Sequence, residues 1–256
     1  MIARLLLAVA ALLLATPALA RETGFLDRSV TVDGQRSLYQ VYIPRGTART
    51  RGLPIVLALH GAGERGSDGL LQTEVGLGGA IRRHVERWPA VVVFPQAPAG
   101  RLWQNSEAIA LAALAAAERE FGTDRSRVYL AGLSMGGNGA WKLAYQQPER
   151  FAALVVVCGF VQPLGIPARD YRPFLPAGED PFAAVARRLA TVPAWIVHGD
   201  ADPVVPIEES RRMAAALRTA GGAVTYRELP GVGHNAWDPG FGDPALAAWL
   251  FAQRRR

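Results

Sequence analysis

The sequence predicts an α/β fold, a mostly parallel, twisted sheet of about eight strands flanked by helices. Three observations point there. Short apolar, β-branched runs alternate with longer helical patterns along the whole chain. Runs such as Pro54 to Leu59 are apolar throughout, as strands covered on both faces must be. Finally, residues capable of chemistry stand immediately after several of these runs, where open parallel sheets gather their reactive groups.

In chain order, Ser29 to Val32 and Leu38 to Ile43 flank Asp33-Gly34, a dipeptide that favours a tight hairpin, so the sheet starts antiparallel. Pro54 to Leu59 is the third strand, ending at His60. A helix over Leu77 to Trp88 follows, then a strand from Ala90 to Phe94 stopped by Pro95. Ala108 to Phe121 is alanine-rich and strongly helical by propensity. Arg127 to Ala131 is a strand, Ser134 to Gln147 a helix ended by Pro148, and Ala152 to Cys158 another buried strand. Residues 159–192 read as a short insertion over the sheet edge, proline-rich at first and closed by a helix over Pro181 to Leu189. Pro193 to His198 and Val224 to Leu229 are the last strands, separated by a helix over Ile207 to Ala220. The final helix runs from Asp243 to Gln253, with Asp243 as its N-cap and Pro244 at its first position.

Residues 1–20 stand outside this pattern. Arg4, the apolar run Leu5 to Ala15 and Ala18-Leu19-Ala20 have the order of a secretory signal peptide, cleaved after Ala20; the run is too short to span a bilayer. A retained membrane anchor is the alternative. The expected mature chain, 21–256, is one catalytic domain without a stable membrane span, secreted or periplasmic in a bacterium. Cys158 is the only cysteine, so no intramolecular disulfide forms, and its apolar run makes it a buried, inert thiol. The net charge of +6 is almost all arginine, with Lys142 the single lysine. The arginines are scattered, which argues against nucleic-acid binding.

The pentapeptide Gly132-Leu133-Ser134-Met135-Gly136, between a strand and a helix, reads as a nucleophile elbow. Glycines two residues either side of Ser134 remove Cβ atoms that would collide in so sharp a turn. Asp202 follows a later strand in His198-Gly199-Asp200-Ala201-Asp202, and His234 follows the last in Gly231-Val232-Gly233-His234. A serine hydroxyl needs a base to take its proton, and the imidazolium formed needs an oriented anion. Ser134, Asp202 and His234 supply these roles in the chain order of α/β-hydrolases. Asp200 rivals Asp202, although Pro203-Val204-Val205-Pro206 stiffens the turn after the latter. His84 reads as a mid-helix surface residue, and His60 and His198 as structural hydrogen-bonding groups. His60-Gly61-Ala62-Gly63 offers the Ala62 N–H as a second oxyanion donor beside that of Met135.

On these residues the chain resembles serine esterases of the α/β-hydrolase superfamily. It is most similar to the peptidase/esterase group near feruloyl and acetylxylan esterases, polyhydroxyalkanoate depolymerases and phospholipase/carboxylesterases. The matching stretches are Leu59 to Gly66, Gly132 to Gly137, His198 to Pro206 and Pro230 to Trp237. The resemblance implies Ser134, Asp202 and His234 as triad, with Ala62 and Met135 as oxyanion donors. No cofactor and no metal are expected. Glu64 and Arg65 read as a loop-bracing ion pair. Trp103 and Trp237 are candidate walls for an aromatic or sugar ester, and Arg169 and Arg172 could meet an acidic one.

The leading expectation is a secreted carboxylic-ester hydrolase acting on a small-molecule ester. The alternatives are a small serine peptidase of prolyl-oligopeptidase-like type, since the same triad cleaves amides, and a non-catalytic binding protein on a hydrolase scaffold.

Overall fold

The computed structural model describes residues 22–47, 50–162, 164–165 and 174–255. The expected signal peptide, and Arg169 and Arg172, lie outside the described residues. Eight strands form one sheet: β1 Gly24–Val32, β2 Gln35–Ile43, β3 Ile55–Leu59, β4 Val91–Pro95, β5 Val128–Leu133, β6 Ala153–Val157, β7 Ala194–Gly199 and β8 Val224–Leu229. Their spatial order is β1-β2-β4-β3-β5-β6-β7-β8. β1 and β2 form the expected hairpin, Asp33 and Gly34 both taking positive φ, and β2 runs antiparallel to β4. From β4 across to β8 every pairing is parallel. The hairpin extends five residues earlier than Ser29, because Phe25 packs on Tyr42 and Phe94.

The period of two along each strand divides the core into two layers. Ile55, Leu57 and Leu59 of β3 face one side, where they meet α2 Glu107–Phe121, α3 Met135–Gln146, α4 Pro181–Leu189 and α5 Glu208–Thr219. Val56 and Ala58 face the other, against α1 Leu77–Arg83, α6 Trp237–Gly242 and α7 Pro244–Ala252. Each fully buried Val, Leu or Ile contributes about 1.5–3 kcal/mol. The insertion after β6 ends as expected in α4, capped by Asp180, whose carboxylate accepts the Ala183 N–H.

Two expectations on this second face need correction. The helix over Leu77 to Trp88 stops at Arg83, because His84 leaves helical geometry (φ −141°, ψ 55°) and a 3₁₀ turn takes over at Val85–Arg87. His84 therefore terminates the helix rather than sitting within it. α6 is an addition, because Pro239, Gly240 and Gly242 leave little helical pattern in its six residues and Phe241 is buried against the sheet only in the assembled core. Among the described residues no helix is long and apolar enough to cross a membrane.

Candidate active site

β5, β7 and β8 end on the same edge of the sheet, and each delivers one polar side chain to a common point. Ser134 leaves β5 with φ 51° and ψ −119°, a conformation that costs a non-glycine residue of order 1–3 kcal/mol. Its N–H donates to the Val157 carbonyl at 2.9 Å and its own carbonyl accepts the Asn138 N–H, so sheet and helix both hold the turn. A methyl group on Gly132 would strike the Gly136 carbonyl, and one on Gly136 the Leu59 and His60 carbonyls. Those two glycines allow the backbone to approach that closely.

The Ser134 hydroxyl lies 2.9 Å from His234 Nε2, and His234 Nδ1 lies 2.7 Å from Asp202 Oδ2. An ionised carboxylate can only accept, so Nδ1 carries the hydrogen and Nε2 presents a lone pair to the hydroxyl. The Asp202 side chain is fully buried, whereas that of His234 is 19% exposed. Burial alone would push the Asp202 carboxyl up. Hydrogen bonds from His234 and from the Val205 and Val204 N–H groups outweigh it and hold the carboxyl below its usual range. Asp200 serves elsewhere, since its carboxylate accepts the Gly231 N–H at 2.6 Å and braces the loop carrying His234. That loop packs directly on Gly199, where a side chain would collide with the Val232 carbonyl. The Cys158 thiol, buried and pushed up by that burial, donates to the His234 carbonyl at 3.3 Å. Cys158, Asp202 and His234 thus bring potential ligand atoms within 4.8 Å of one another, but each is already engaged in these hydrogen bonds.

Met135 opens α3 directly after Ser134, and first-turn N–H groups have no acceptor within their helix. Ala62 lies exposed in a 3₁₀ turn after β3, and the preceding Gly61 is close to Ser134. Glu64 and Arg65 do not pair as expected. Arg65 donates to the Ala62 carbonyl at 2.7 Å, bracing the turn from below, while burial pushes the Glu64 carboxyl up. Trp103 is also corrected: it is 2% exposed, its indole N–H donates to the His60 carbonyl at 2.9 Å, and it supports the floor instead of lining open space. A wider network was not legible in the sequence. Gln104 donates to Asn138, Asn138 to the Phe160 carbonyl, and Lys142 to the Gln104 carbonyl, with Glu107 2.8 Å from the ammonium. Trp237 is half-buried, its ring edge-on to that of His234 with centroids 5.3 Å apart.

His60 and His198 are structural, as their strand-end positions suggest. His60 Nε2 accepts the Ala97 N–H at 2.9 Å while Nδ1 donates to the Gly61 carbonyl. Burial, helped by the Arg65 charge and opposed by the Gly61 hydrogen bond, pushes its pKa from 6.5 down to about 4. Between those values the unfolded chain binds a proton that the folded chain refuses, so stability falls as pH falls through the window. His60 alone should cost about 2 kcal/mol between roughly pH 7 and pH 5, read as a lower urea midpoint. The loss should shrink in His60→Gln, and an unchanged loss would remove His60 as its source.

The profile of the prolyl oligopeptidase family matches residues 103–250, which includes all of Ser134, Asp202 and His234. The chain is 51% identical over 47 residues to esterase LipQ of Mycobacterium tuberculosis, a stretch covering 18% of this chain and 11% of that one. A solved thermostable esterase superposes with a TM-score of 0.75 at 28% identity, covering 90% of this chain and 63% of the other. This chain therefore spans less than two thirds of either protein. A ferulic acid esterase shares the fold, with a TM-score of 0.65 at 18% identity over 89% of this chain and 96% of its own. With a family match over more than half its length, on an eight-stranded α/β-hydrolase sheet, the protein belongs to the prolyl oligopeptidase family.

Proposed function

We propose that the protein is a serine hydrolase of carboxylic esters, cleaving small soluble substrates through an acyl-Ser134 intermediate. One observation carries the reading: the unbroken hydrogen-bonded line from Ser134 Oγ through His234 to Asp202. In this scheme His234 Nε2 takes the Ser134 proton as Oγ attacks the ester carbonyl. The N–H groups of Met135 and Ala62 receive the oxyanion. Asp202 holds the tautomer and offsets the imidazolium charge. His234 then returns the proton to the departing alcohol, and water, activated by the same imidazole, releases the acid. No step calls on a metal or an organic cofactor. Trp237, beside His234, offers a flat wall suited to an aromatic or carbohydrate ester. Residues 1–20 fit export, so the site would work in the periplasm or outside the cell.

The family match keeps a peptidase reading alive, since amide cleavage needs the same three groups. Purified protein should release nitrophenol from short acyl esters and label at Ser134 with a fluorophosphonate probe. It should also hydrolyse a matched ester faster than the amide. A preference for the amide would favour the peptidase reading. Absence of both labelling and turnover would sink the assignment.

A further inference from the structure

Asp202 is held by two histidines, and the chemistry above uses only one. Its Oδ2 accepts from His234 at 2.7 Å and lies 3.1 Å from Nε2 of His198, near the end of β7. The same Nε2 lies 3.0 Å from the Val205 carbonyl, and His198 Nδ1 lies 2.7 Å from Ser210 Oγ on α5. Both oxygens facing Nε2 are acceptors, so Nε2 must carry the hydrogen, and Nδ1 accepts a hydrogen bond from the Ser210 hydroxyl. This imidazole is 0% exposed and has one tautomer that satisfies all its neighbours. Asp202 Oδ1 accepts the Val204 and Val205 N–H groups at 2.8 and 3.0 Å. Four donors thus converge on one buried carboxylate, and the one from His198 is wired back to a helix.

We propose that His198, oriented by Ser210, is a positioning residue for the reaction: it keeps Asp202 Oδ2 aimed at His234 and shares the carboxylate's charge. The inference rests on the hydrolase reading above. Without the His198 donor, Oδ2 keeps an unmatched lone pair in a buried site. The carboxylate can then turn about its side-chain bond, and its charge concentrates on the contact with His234. Imidazolium at His234 becomes easier to form, so more of the base is already protonated at a given pH.

The groups facing His198 leave Asp202 and His234 as the two that respond. Burial pushes the His198 pKa down, so it remains a neutral donor. Glu228, its partner across β8, is committed to Arg211 at 2.9 Å. On α5, Glu209 accepts the Val161 and Gln162 N–H groups instead of approaching the imidazole. The Cys158 thiol points to the His234 carbonyl.

The test is kcat and KM against pH on nitrophenyl acetate for the full chain and three variants. His198→Leu should lose about 10- to 100-fold in kcat, the scale of a small misplacement of reacting groups. KM should change little, and the acid limb of kcat/KM should move to higher pH. His198→Gln, whose amide N–H can stand where Nε2–H does, should recover most of the rate and return the limb. Ser210→Ala, which frees the imidazole to turn over, should fall between. An unchanged kcat and limb in His198→Leu, or no rescue by His198→Gln when both melt like the parent, overturns the proposal. If His198→Leu does not fold, Ser210→Ala decides: a shifted limb supports the role and a parental profile overturns it. Should the parent neither turn over esters nor label at Ser134, the hydrolase reading fails first. The low-field proton signal of the His234–Asp202 hydrogen bond still tests the positioning: it should move in His198→Leu and Ser210→Ala and return toward the parent in His198→Gln, and a signal unmoved in the first two rejects it.

Discussion

Ser134→Ala should lose roughly 10⁶-fold in kcat toward nitrophenyl esters, about 8 kcal/mol of barrier, with little change in KM. Among the described residues, the hydroxyl is the group the geometry aims at an incoming carbonyl with a base 2.9 Å behind it. Alanine keeps the Cβ, so the turn at φ 51° stays strained and the scaffold stays as it is. Ser134→Gly separates chemistry from strain. It should be equally inactive yet unfold about 1 kcal/mol harder than the alanine variant, because glycine tolerates positive φ. Urea midpoints and burst-phase kinetics read both effects. More than about one part in a thousand of the parental kcat in either variant would mean that another residue carries the nucleophile.

Asp202→Asn should lose about 10⁴-fold in kcat while barely disturbing the backbone. The size follows from which way the new amide must face. Two main-chain N–H groups, of Val204 and Val205, point at the Oδ1 position, so the amide oxygen has to lie there. The NH₂ then occupies the Oδ2 position, facing His234 Nδ1. It can only donate, so His234 must accept at Nδ1 and carry its hydrogen on Nε2, turned against the Ser134 hydroxyl. The base is lost although every atom is nearly in place. It would also set NH₂ against the Nε2–H of His198, which accounts for an added loss of thermal stability. A fall of less than tenfold would return Asp200 to candidacy, but Asp200 is already engaged by the Gly231 N–H.

The strands and the three polar groups at their ends were legible because each depends on local pattern. Period-two burial, the Asp33-Gly34 turn and glycines flanking a serine are written within a few residues of one another. What escaped depends on groups that meet only in three dimensions. His198 stands four residues before Asp202, yet nothing in that spacing says that a helix serine will fix its tautomer. Trp103 follows a strand in a stretch without periodicity, where aromatics commonly line clefts, and its burial and its hydrogen bond to the His60 carbonyl, which turn it inward, exist only in the folded chain. α6 was hidden by its own Pro239 and Gly240. Its helical form depends on Phe241 filling a space between strands and α1, which is a property of the assembled core.

Lys142 gives the molecule an unusual chemical signature. The chain has a single ε-amine, and it is 5% exposed, clasped between the Gln104 carbonyl and the Glu107 carboxylate. Reagents that acylate or crosslink lysine have no side chain to find while the segment around Trp103 stays seated on α3. The rate at which Lys142 is modified is therefore a clock for how often that segment lifts. Immobilisation through side-chain amines would select molecules in which it already has.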